Sequence, residues 1–171
     1  MSPPLAVRFR ALARADLPML YGWRQRPHVT QWWPAPATLA ELEDDHFSAA
    51  ALASSTRAYI AMSGAQALGY IQSYVALGCG DGWWADETDP GTRGIDQFLA
   101  DESRLGRGIG SAMVDAFAKR LFADVAVTRI QTGPSPDNQR AIRCYRRAGF
   151  VDRGEIVTPD GRALLMVRER P

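Results

Sequence analysis

The spacing of apolar residues along the chain predicts several helices. Apolar side chains recur every three to four residues over 108–123, which is the pattern of an amphipathic helix. Helix signals also mark 16–24 and 38–52. In the second of these, Thr38 is the predicted N-cap, with Glu41 as its capping-box partner. A further helix is expected to begin after Ser135, as its cap, and to stop at Gly149.

Strand signals lie between these helices. Alternating or short apolar runs bounded by turn residues predict strands near 5–10, 58–62, 68–76, 94–100, 127–132, 150–157 and 163–168. A long loop of glycines and acids, 77–93, precedes the fourth strand, and loops of this length are often functional. We expect an α/β (α+β) fold, mostly β, and one domain over 1–171.

Composition bounds the class of protein. The chain has 171 residues, 46% of them apolar and 23% charged, which is ordinary for a globular domain. Cys79 and Cys144 lie far apart without a metal-binding spacing, and His28 and His46 are isolated, so neither a disulfide nor a metal site is expected. No stretch approaches the ~20 apolar residues of a membrane span, and no secretion signal is seen. We therefore expect a cytoplasmic protein without membrane attachment.

The formal net charge of +1 hides a strong separation of charge. Segment 41–101 carries ten acidic and two basic residues, whereas 102–153 carries ten basic and five acidic ones. The near-neutral total argues against nucleic-acid binding. A site where the two segments meet is suited to a cation on one side and an anion on the other.

The basic segment contains a glycine-rich turn between a predicted strand and a predicted helix, FLADESRLGRGIGSAMV (98–114). Gly106, Gly108 and Gly110 allow backbone N–H groups to face an anion at the positive end of the helix. No GK[ST] follows, so this is not a P-loop, and the arrangement fits the dinucleotide fingerprint poorly. Taken alone, a tight structural turn is about as good an interpretation as a phosphate site.

A second motif decides between these two interpretations. Downstream, SPDNQRAIRCYRRAGF has the spacing N-x-x-A-x-x-x-Y-x-x-x-G-F on a predicted helix. The two blocks together resemble the GNAT acetyltransferase superfamily, although Leu105 stands where that family usually has Gln or Arg. The resemblance implies a mixed, mostly antiparallel sheet of about seven strands, flanked by helices and splayed at the acetyl-CoA site. It also implies that acetyl-CoA binds to Phe98, Leu99, Ala100, Leu105, Gly106, Arg107, Gly108, Ile109, Gly110, Ser111, Asn138, Ala141 and Tyr145.

Motifs in and near the acidic segment resemble one group within this superfamily. GYIQSYVALG, GDGWWADETDPGTRGIDQ and TPDG are similar to aminoglycoside 6′-N-acetyltransferases, which acetylate kanamycin, tobramycin and amikacin and confer resistance. An aminoglycoside is a polycation covered in hydroxyls, so its pocket needs carboxylates and flat apolar walls. The resemblance implies substrate contacts from Asp81, Trp83, Trp84, Glu87, Asp96 and Asp160. The alternatives are that the tryptophans anchor the long loop and that the acids are merely solvated.

The resemblance also assigns catalytic roles. Asp96 would bind the reacting amine and act as general base, directly or through water, and Tyr145 would protonate the departing thiolate. Backbone N–H groups near 97–99 would polarise the thioester. No metal and no acyl-enzyme is implied, and transfer would be direct within a ternary complex. The alternative for Tyr145 is a packing role on the apolar face of its helix.

Two departures refine the expected substrate. Relatives that also acetylate fluoroquinolones replace the residues corresponding to Trp83 and Asp160, so no useful fluoroquinolone activity is expected. Gly133 stands where the relatives have Asp, which suggests weaker or narrower aminoglycoside use. Two other functions stay open: acetylation of a different small amine or peptide N-terminus, and a non-catalytic acyl-CoA-binding module. The expected partners are acetyl-CoA and a polycationic amine, with the protein a monomer or weak dimer.

Overall fold

The computed structural model describes residues 5–171, which form a seven-stranded mixed sheet in the order β1-β2-β3-β4-β5-β7-β6. Only the β4–β5 pair is parallel. This confirms the mixed, mostly antiparallel sheet expected from the sequence. The strands are β1 Arg8–Ala11, β2 Arg57–Ser63, β3 Gln66–Val75, β4 Thr92–Leu99, β5 Arg129–Thr132, β6 Val151–Thr158 and β7 Gly161–Glu169.

Six α-helices flank the sheet in the described residues. They are α1 Leu17–Arg24, α2 Pro27–Thr30, α3 Leu39–Phe47, α4 Ala49–Ala53, α5 Ile109–Phe122 and α6 Gln139–Arg147. Short 3-10 turns cover Arg14–Asp16 and Glu102–Arg104. Within residues 5–171, no helix has the length and apolar character needed to cross a bilayer.

Three local predictions need correction. The helix predicted over 38–52 breaks at Ser48, whose extended backbone ends α3 and whose hydroxyl caps α4. Thr38 does cap α3, but the Glu41 carboxylate accepts from the N–H of Ala37 rather than from that of Thr38. The cap of α6 is Asn138 and not Ser135, because the Asn138 carbonyl oxygen accepts the N–H of Ala141.

Two apolar clusters cover the two faces of the sheet. Tyr70 and Phe98 pack with α1, α2 and α3 on one face, whereas Ile71 and Ile95 pack with α5 and α6 on the other. Successive strand residues point to opposite faces, so Asp96 shares its face with Phe98. The Asp96 carboxylate is thereby placed beside the apolar cluster formed with α1, α2 and α3.

The sheet parts between β4 and β5. The two strands pair at Thr92–Arg129, Arg93–Ile130 and Gly94–Gln131, after which β4 continues to Leu99 with β3 as its one strand partner. β5 ends at Thr132, and Pro134, which has no N–H to donate, follows two residues later. The divergence opens a passage beside the last five residues of β4.

The backbones of β3 and β4 approach closely at Gly69. A Cβ added at Gly69 would lie 2.1 Å from the carbonyl oxygen of Phe98. We expect Gly69→Ala to destabilise the fold by about 2 kcal/mol or more, since the strand backbones must separate to admit the methyl group. Urea unfolding measures this change.

The matched control is Gly22→Ala in α1, where nothing lies within 4 Å of the added Cβ. Alanine is the better helix former, so this control should be neutral or stabilising by up to about 1 kcal/mol. Equal unfolding midpoints for the two variants would contradict the close approach at Gly69.

Candidate active site

A cleft of about 960 Å³ runs through the parting of the sheet. Asp96 and Phe98 line it from the α1–α3 face, and Asn138 and Tyr145 line it from the α5–α6 face. The opening between β4 and β5 therefore joins the two faces of the sheet. One molecule can enter from each face, and the two can meet in the middle.

The glycine loop, residues 105–110, forms one end of the cleft. Gly106 and Gly108 have φ of +72° and +79°, a left-handed conformation that glycine adopts without strain. Gly108 is the N-cap of α5 and offers no side chain, so the first N–H groups of this 14-residue helix are left for an external acceptor. Such a helix end attracts anions.

Helix α6 forms the adjoining wall. Asn138, Ala141 and Tyr145 lie on one side of it and all line the cleft. Asn138 uses its side-chain oxygen as the helix cap, which leaves its NH₂ group available to a ligand. Helices α5 and α6 approach closely here, because a Cβ at Gly110 would lie 3.1 Å from Cys144 Sγ.

Tyr145 is held as a protonated phenol. It is 4% exposed and packs edge-on against Phe150, with ring centroids 5.5 Å apart. Burial raises the pKa of Tyr145 well above its ordinary value, and hydrogen bonding to the Thr132 and Gln97 side chains opposes that rise only in part. Tyr145 therefore carries its proton at neutral pH, which is the form that a proton donor in the cleft must have.

Asp96 lies at the centre of the cleft and is half-buried. Its Oδ2 accepts a hydrogen bond from Gln72 Nε2 at 2.9 Å. Desolvation raises the pKa of Asp96 and repulsion from Asp160 adds to the rise, while the Gln72 hydrogen bond opposes it. A carboxylate with a raised pKa is a better proton acceptor than an ordinary one.

The acid loop, residues 76–91, forms the far end of the cleft. Asp81 and Trp83 line it, joined by Asp160 from the turn between β6 and β7. Asp81 and Trp84 have φ of +56° and +52°, which is uncommon for residues with a Cβ. The loop therefore holds a strained backbone next to the cleft.

Trp84 and Glu87 do not line the cleft. The Trp84 indole donates to the Tyr74 hydroxyl at 2.9 Å, and its ring lies 3.3 Å from where a Cβ at Gly133 would be. The Glu87 carboxylate accepts the N–H groups of Thr88 and Asp89. In the free protein both side chains stabilise the acid loop.

Three of the predicted cofactor contacts also lie outside the cleft wall: Ala100, Arg107 and Ile109. The Ala100 N–H donates to the Leu68 carbonyl, Ile109 packs in a small apolar cluster, and the Arg107 side chain is exposed. The remaining predicted residues are brought together: Phe98, Leu99, Leu105, Gly106, Gly108, Gly110, Ser111, Asn138, Ala141, Tyr145, Asp96, Asp81, Trp83 and Asp160.

Sequence reasoning missed several residues of the wall. Gln72 and Tyr74 alternate along β3 and point into the cleft, and Trp33 lines it beneath the guanidinium of Arg24. Three arginines of α6 line the other end: Arg140, Arg143 and Arg147. Their spacing along the helix was a signal for one basic face, but only the packing of α6 shows which side faces the cleft.

Comparison with known proteins identifies the family. The model of the acetyltransferase (GNAT) domain matches residues 13–158. This chain belongs to the GNAT acetyltransferase family. The match confirms the membership predicted from the glycine loop and the Asn–Ala–Tyr motif.

Some individual proteins are highly similar to this chain in sequence and structure. Aminoglycoside N(6′)-acetyltransferase type 1 of Klebsiella pneumoniae is 50% identical over 168 residues, which is 96% of this chain and 84% of that protein. A kanamycin resistance protein of Rhizobium radiobacter is 58% identical over 88 residues, 52% of this chain and 82% of that one. The crystal structure of aminoglycoside acetyltransferase AAC(6′)-Ib with coenzyme A and kanamycin shares 51% identity and a TM-score of 0.92, covering 96% of this chain and 95% of that chain.

The raised pKa of Asp96 has a consequence for the stability of this GNAT protein. The folded state prefers the protonated carboxyl, so stability is lost as the pH rises from the ordinary Asp pKa through the folded one. We expect Asp96→Asn to unfold at higher urea concentration than the wild type at about pH 8, with a difference that shrinks towards about pH 4. Urea titration at several pH values measures it.

Asp86→Asn is the control, because Asp86 is an exposed carboxylate of the same acid loop. It should leave the pH dependence of stability unchanged. If Asp96→Asn showed no gain at the higher pH, the desolvation argument for Asp96 would be wrong.

Proposed function

We propose that this chain transfers the acetyl group of acetyl-CoA to the 6′-amino group of aminoglycosides of the kanamycin type. The observation that carries the proposal is the cleft itself, which joins an anion-binding helix end to a wall of carboxylates and indoles through Asp96 and Tyr145. The 50% identity to an aminoglycoside N(6′)-acetyltransferase supports the same substrate class.

The donor fits the α5–α6 end. The pyrophosphate of acetyl-CoA would accept hydrogen bonds from the glycine-loop amides, and the α6 arginines would add positive charge near its phosphates. The pantetheine arm carries amides, and it would lie along the part of β4 that has no β5 partner, within reach of the Asn138 NH₂ group. Backbone N–H groups of Gln97 to Leu99 would polarise the thioester carbonyl.

The acceptor fits the acid-loop end. Asp81, Asp96 and Asp160 give this end a negative potential, which attracts a polycation from solution. Trp33 and Trp83 provide flat apolar surfaces for sugar rings. Trp84 and Glu87 would contribute indirectly, by holding the acid loop in place. A linear polyamine would satisfy the carboxylates but leave the indoles unused.

The chemistry follows from the two titratable groups. Asp96, directly or through one water, removes a proton from the ammonium, and the free amine attacks the thioester carbon. A C–N bond forms and the C–S bond breaks. Tyr145 donates its proton to the departing thiolate. The attacking nitrogen then gives up one of its two remaining protons, which returns to the Tyr145 oxygen. One proton is released to solvent from Asp96, so the transfer is balanced within the ternary complex.

We further propose that residues 1–171 act as one acetyltransferase domain in the cytoplasm, where acetyl-CoA is made. Antibiotic resistance would then follow when the chain is expressed in an aminoglycoside-sensitive bacterium. Growth inhibition by kanamycin at rising drug concentration tests this role in the cell.

The direct test is a continuous assay of CoA thiol release. Kanamycin and tobramycin should be acetylated at the 6′-nitrogen, located by NMR, whereas an analogue with a 6′-hydroxyl should release no thiol. Asp96→Asn and Tyr145→Phe should each lower kcat by about a hundredfold or more, since each removes a proton-transfer group.

Two further substrates sharpen the assay. Ciprofloxacin should not be acetylated, and spermidine should have a much lower kcat/KM than kanamycin. Asp86→Asn should retain full turnover, because its carboxylate is exposed and does not line the cleft. Failure of every 6′-amino aminoglycoside to release thiol would refute the proposed function.

A further inference from the structure

A chain of hydrogen bonds runs from helix α3 through the α1–α3 cluster to Asp96. His46 Nδ1 lies 3.0 Å from the carbonyl oxygen of Leu42, and His46 Nε2 lies 2.9 Å from the Tyr70 hydroxyl. The Tyr70 hydroxyl lies 2.6 Å from Gln72 Oε1, and Gln72 Nε2 lies 2.9 Å from Asp96 Oδ2. The chain links the candidate base to a histidine outside the cleft.

The packing holds this chain in one geometry. Tyr70 is 2% exposed and stacks on Phe98, with ring centroids 5.5 Å apart and planes at 16°. His46 meets the Tyr70 ring edge-on at 5.8 Å. Gln72 is directly opposite Asp96 in the β3–β4 register. The four side chains therefore have little freedom except in where their protons lie and in which way the Gln72 amide is turned.

Two arrangements of the protons satisfy every hydrogen bond in the chain, and the first has a charged His46. A carbonyl only accepts, so His46 Nδ1 carries a hydrogen for Leu42. If the Tyr70 proton is donated to Gln72 Oε1, then His46 Nε2 must also carry a hydrogen, for the Tyr70 oxygen. His46 is then an imidazolium, and the Gln72 NH₂ group faces an ionised Asp96.

The second arrangement reverses the direction of the chain. If His46 is neutral, Nε2 accepts the Tyr70 proton, so the Gln72 amide must turn its NH₂ group towards the Tyr70 oxygen. Gln72 Oε1 then faces Asp96 and needs a donor, which is a protonated carboxyl. Every bond is again satisfied. A neutral His46 beside an ionised Asp96 satisfies neither arrangement and leaves one buried polar atom without a partner.

The surroundings favour different arrangements in different states. Burial lowers the pKa of His46, with Arg24 lowering it further, whereas Asp45 and the Leu42 carbonyl raise it. Burial raises the pKa of Asp96. In the structure the Gln72 NH₂ group faces Asp96, as in the first, ionised arrangement, whereas the burial of His46 and Asp96 favours the second, neutral one. A cationic amine beside Asp96 stabilises the carboxylate and biases the chain towards the ionised arrangement.

We propose that His46 is a positioning residue for the base: through Tyr70 and Gln72, its protonation is coupled to the ionisation of Asp96. The proposal rests on the proposed function only in treating Asp96 as the general base. The coupling itself is a property of the free protein. His46 neither lines the cleft nor touches the reacting atoms.

Removing His46 has a specific expected effect. In His46→Phe the Tyr70 proton has only Gln72 Oε1 left as acceptor, so the amide keeps its NH₂ group towards Asp96. The ionised carboxylate is then favoured. The acid limb of the kcat/KM profile with kanamycin should move to lower pH by about one unit, the size expected for one hydrogen bond to a charged group. The KM for acetyl-CoA should not change.

A double-mutant cycle separates coupling from packing. In a Tyr70→Phe background the chain is already broken, so adding His46→Phe should leave the acid limb where Tyr70→Phe alone puts it. Phe47→Leu, a substitution in the same helix outside the chain, should lower the unfolding temperature without moving the limb. An acid limb unmoved by His46→Phe, or moved equally in both backgrounds, would overturn the proposal.

A second measurement needs no turnover. The chain has two histidines, so ¹⁵N-histidine NMR follows the His46 ring directly, with His46→Phe assigning the signal. Asp96→Asn should lower the pKa of His46 in the protein with Tyr70 and leave it unchanged in Tyr70→Phe. Gln72→Met breaks the chain at another link if Tyr70→Phe fails to fold.

The kinetic assay and the NMR titration distinguish a failure of the proposed function from a failure of the coupled chain. Coupling seen by NMR in a protein that releases no thiol with any aminoglycoside would refute the proposed function and support the coupled chain. Rapid kanamycin acetylation with no effect of Asp96→Asn on His46 would refute the coupled chain alone.

Discussion

The structure depends on the point where β4 loses its parallel neighbour. β5 pairs with β4 at three positions and then diverges from it at Gly133 and Pro134 while staying paired with β7, whereas β3 continues to pair with β4 as far as Leu99. A strand inside a sheet must have partners for its backbone N–H and C=O groups, because buried polar groups without partners are costly. The free edge of β4 is therefore a structural cost, because its backbone groups lack strand partners. In the proposed function, the amides of the acetyl donor would pair with this edge.

The same parting explains how opposite charges share one site. The carboxylates line the cleft from the α1–α3 face and the acid loop, whereas the glycine loop and the arginines of α6 lie at the other end. A passage between the faces lets an anionic donor and a cationic acceptor approach from different sides, so neither must cross the potential that attracts the other. The net charge of +1 is the sum of opposite charges on different segments of the chain and says little about the site.

Much of this could be predicted from the sequence, because it rests on local rules. Strand alternation, the helical spacing of α5 and the glycine loop each depend on neighbours a few residues away. The break at Ser48 could not be predicted, because the helical spacing of apolar residues continues across it. Only the structure shows that Ser48 has an extended backbone and caps α4. The positions of Trp84 and Gln72 depend on the acid-loop path and the β3–β4 register. A shift of one residue in that register would turn Gln72 away from Asp96.

A few polar groups around Asp96 control the ionisation of its carboxyl. A carboxylate in the wall of a sheet loses hydration, and Asp160 nearby adds repulsion. One hydrogen bond from Gln72 opposes both effects. The Gln72 amide can, however, pair with either form of the acid, because its NH₂ group donates to an ionised carboxylate and its oxygen accepts from a protonated carboxyl. Tyr70 and His46 resolve this ambiguity from the interior, away from solvent and substrate. Asp96 is thus linked through Gln72 and Tyr70 to His46, which lies outside the cleft and outside the motifs described above. The charge state of Asp96 would then depend on the packed α1–α3 face as well as on the cleft.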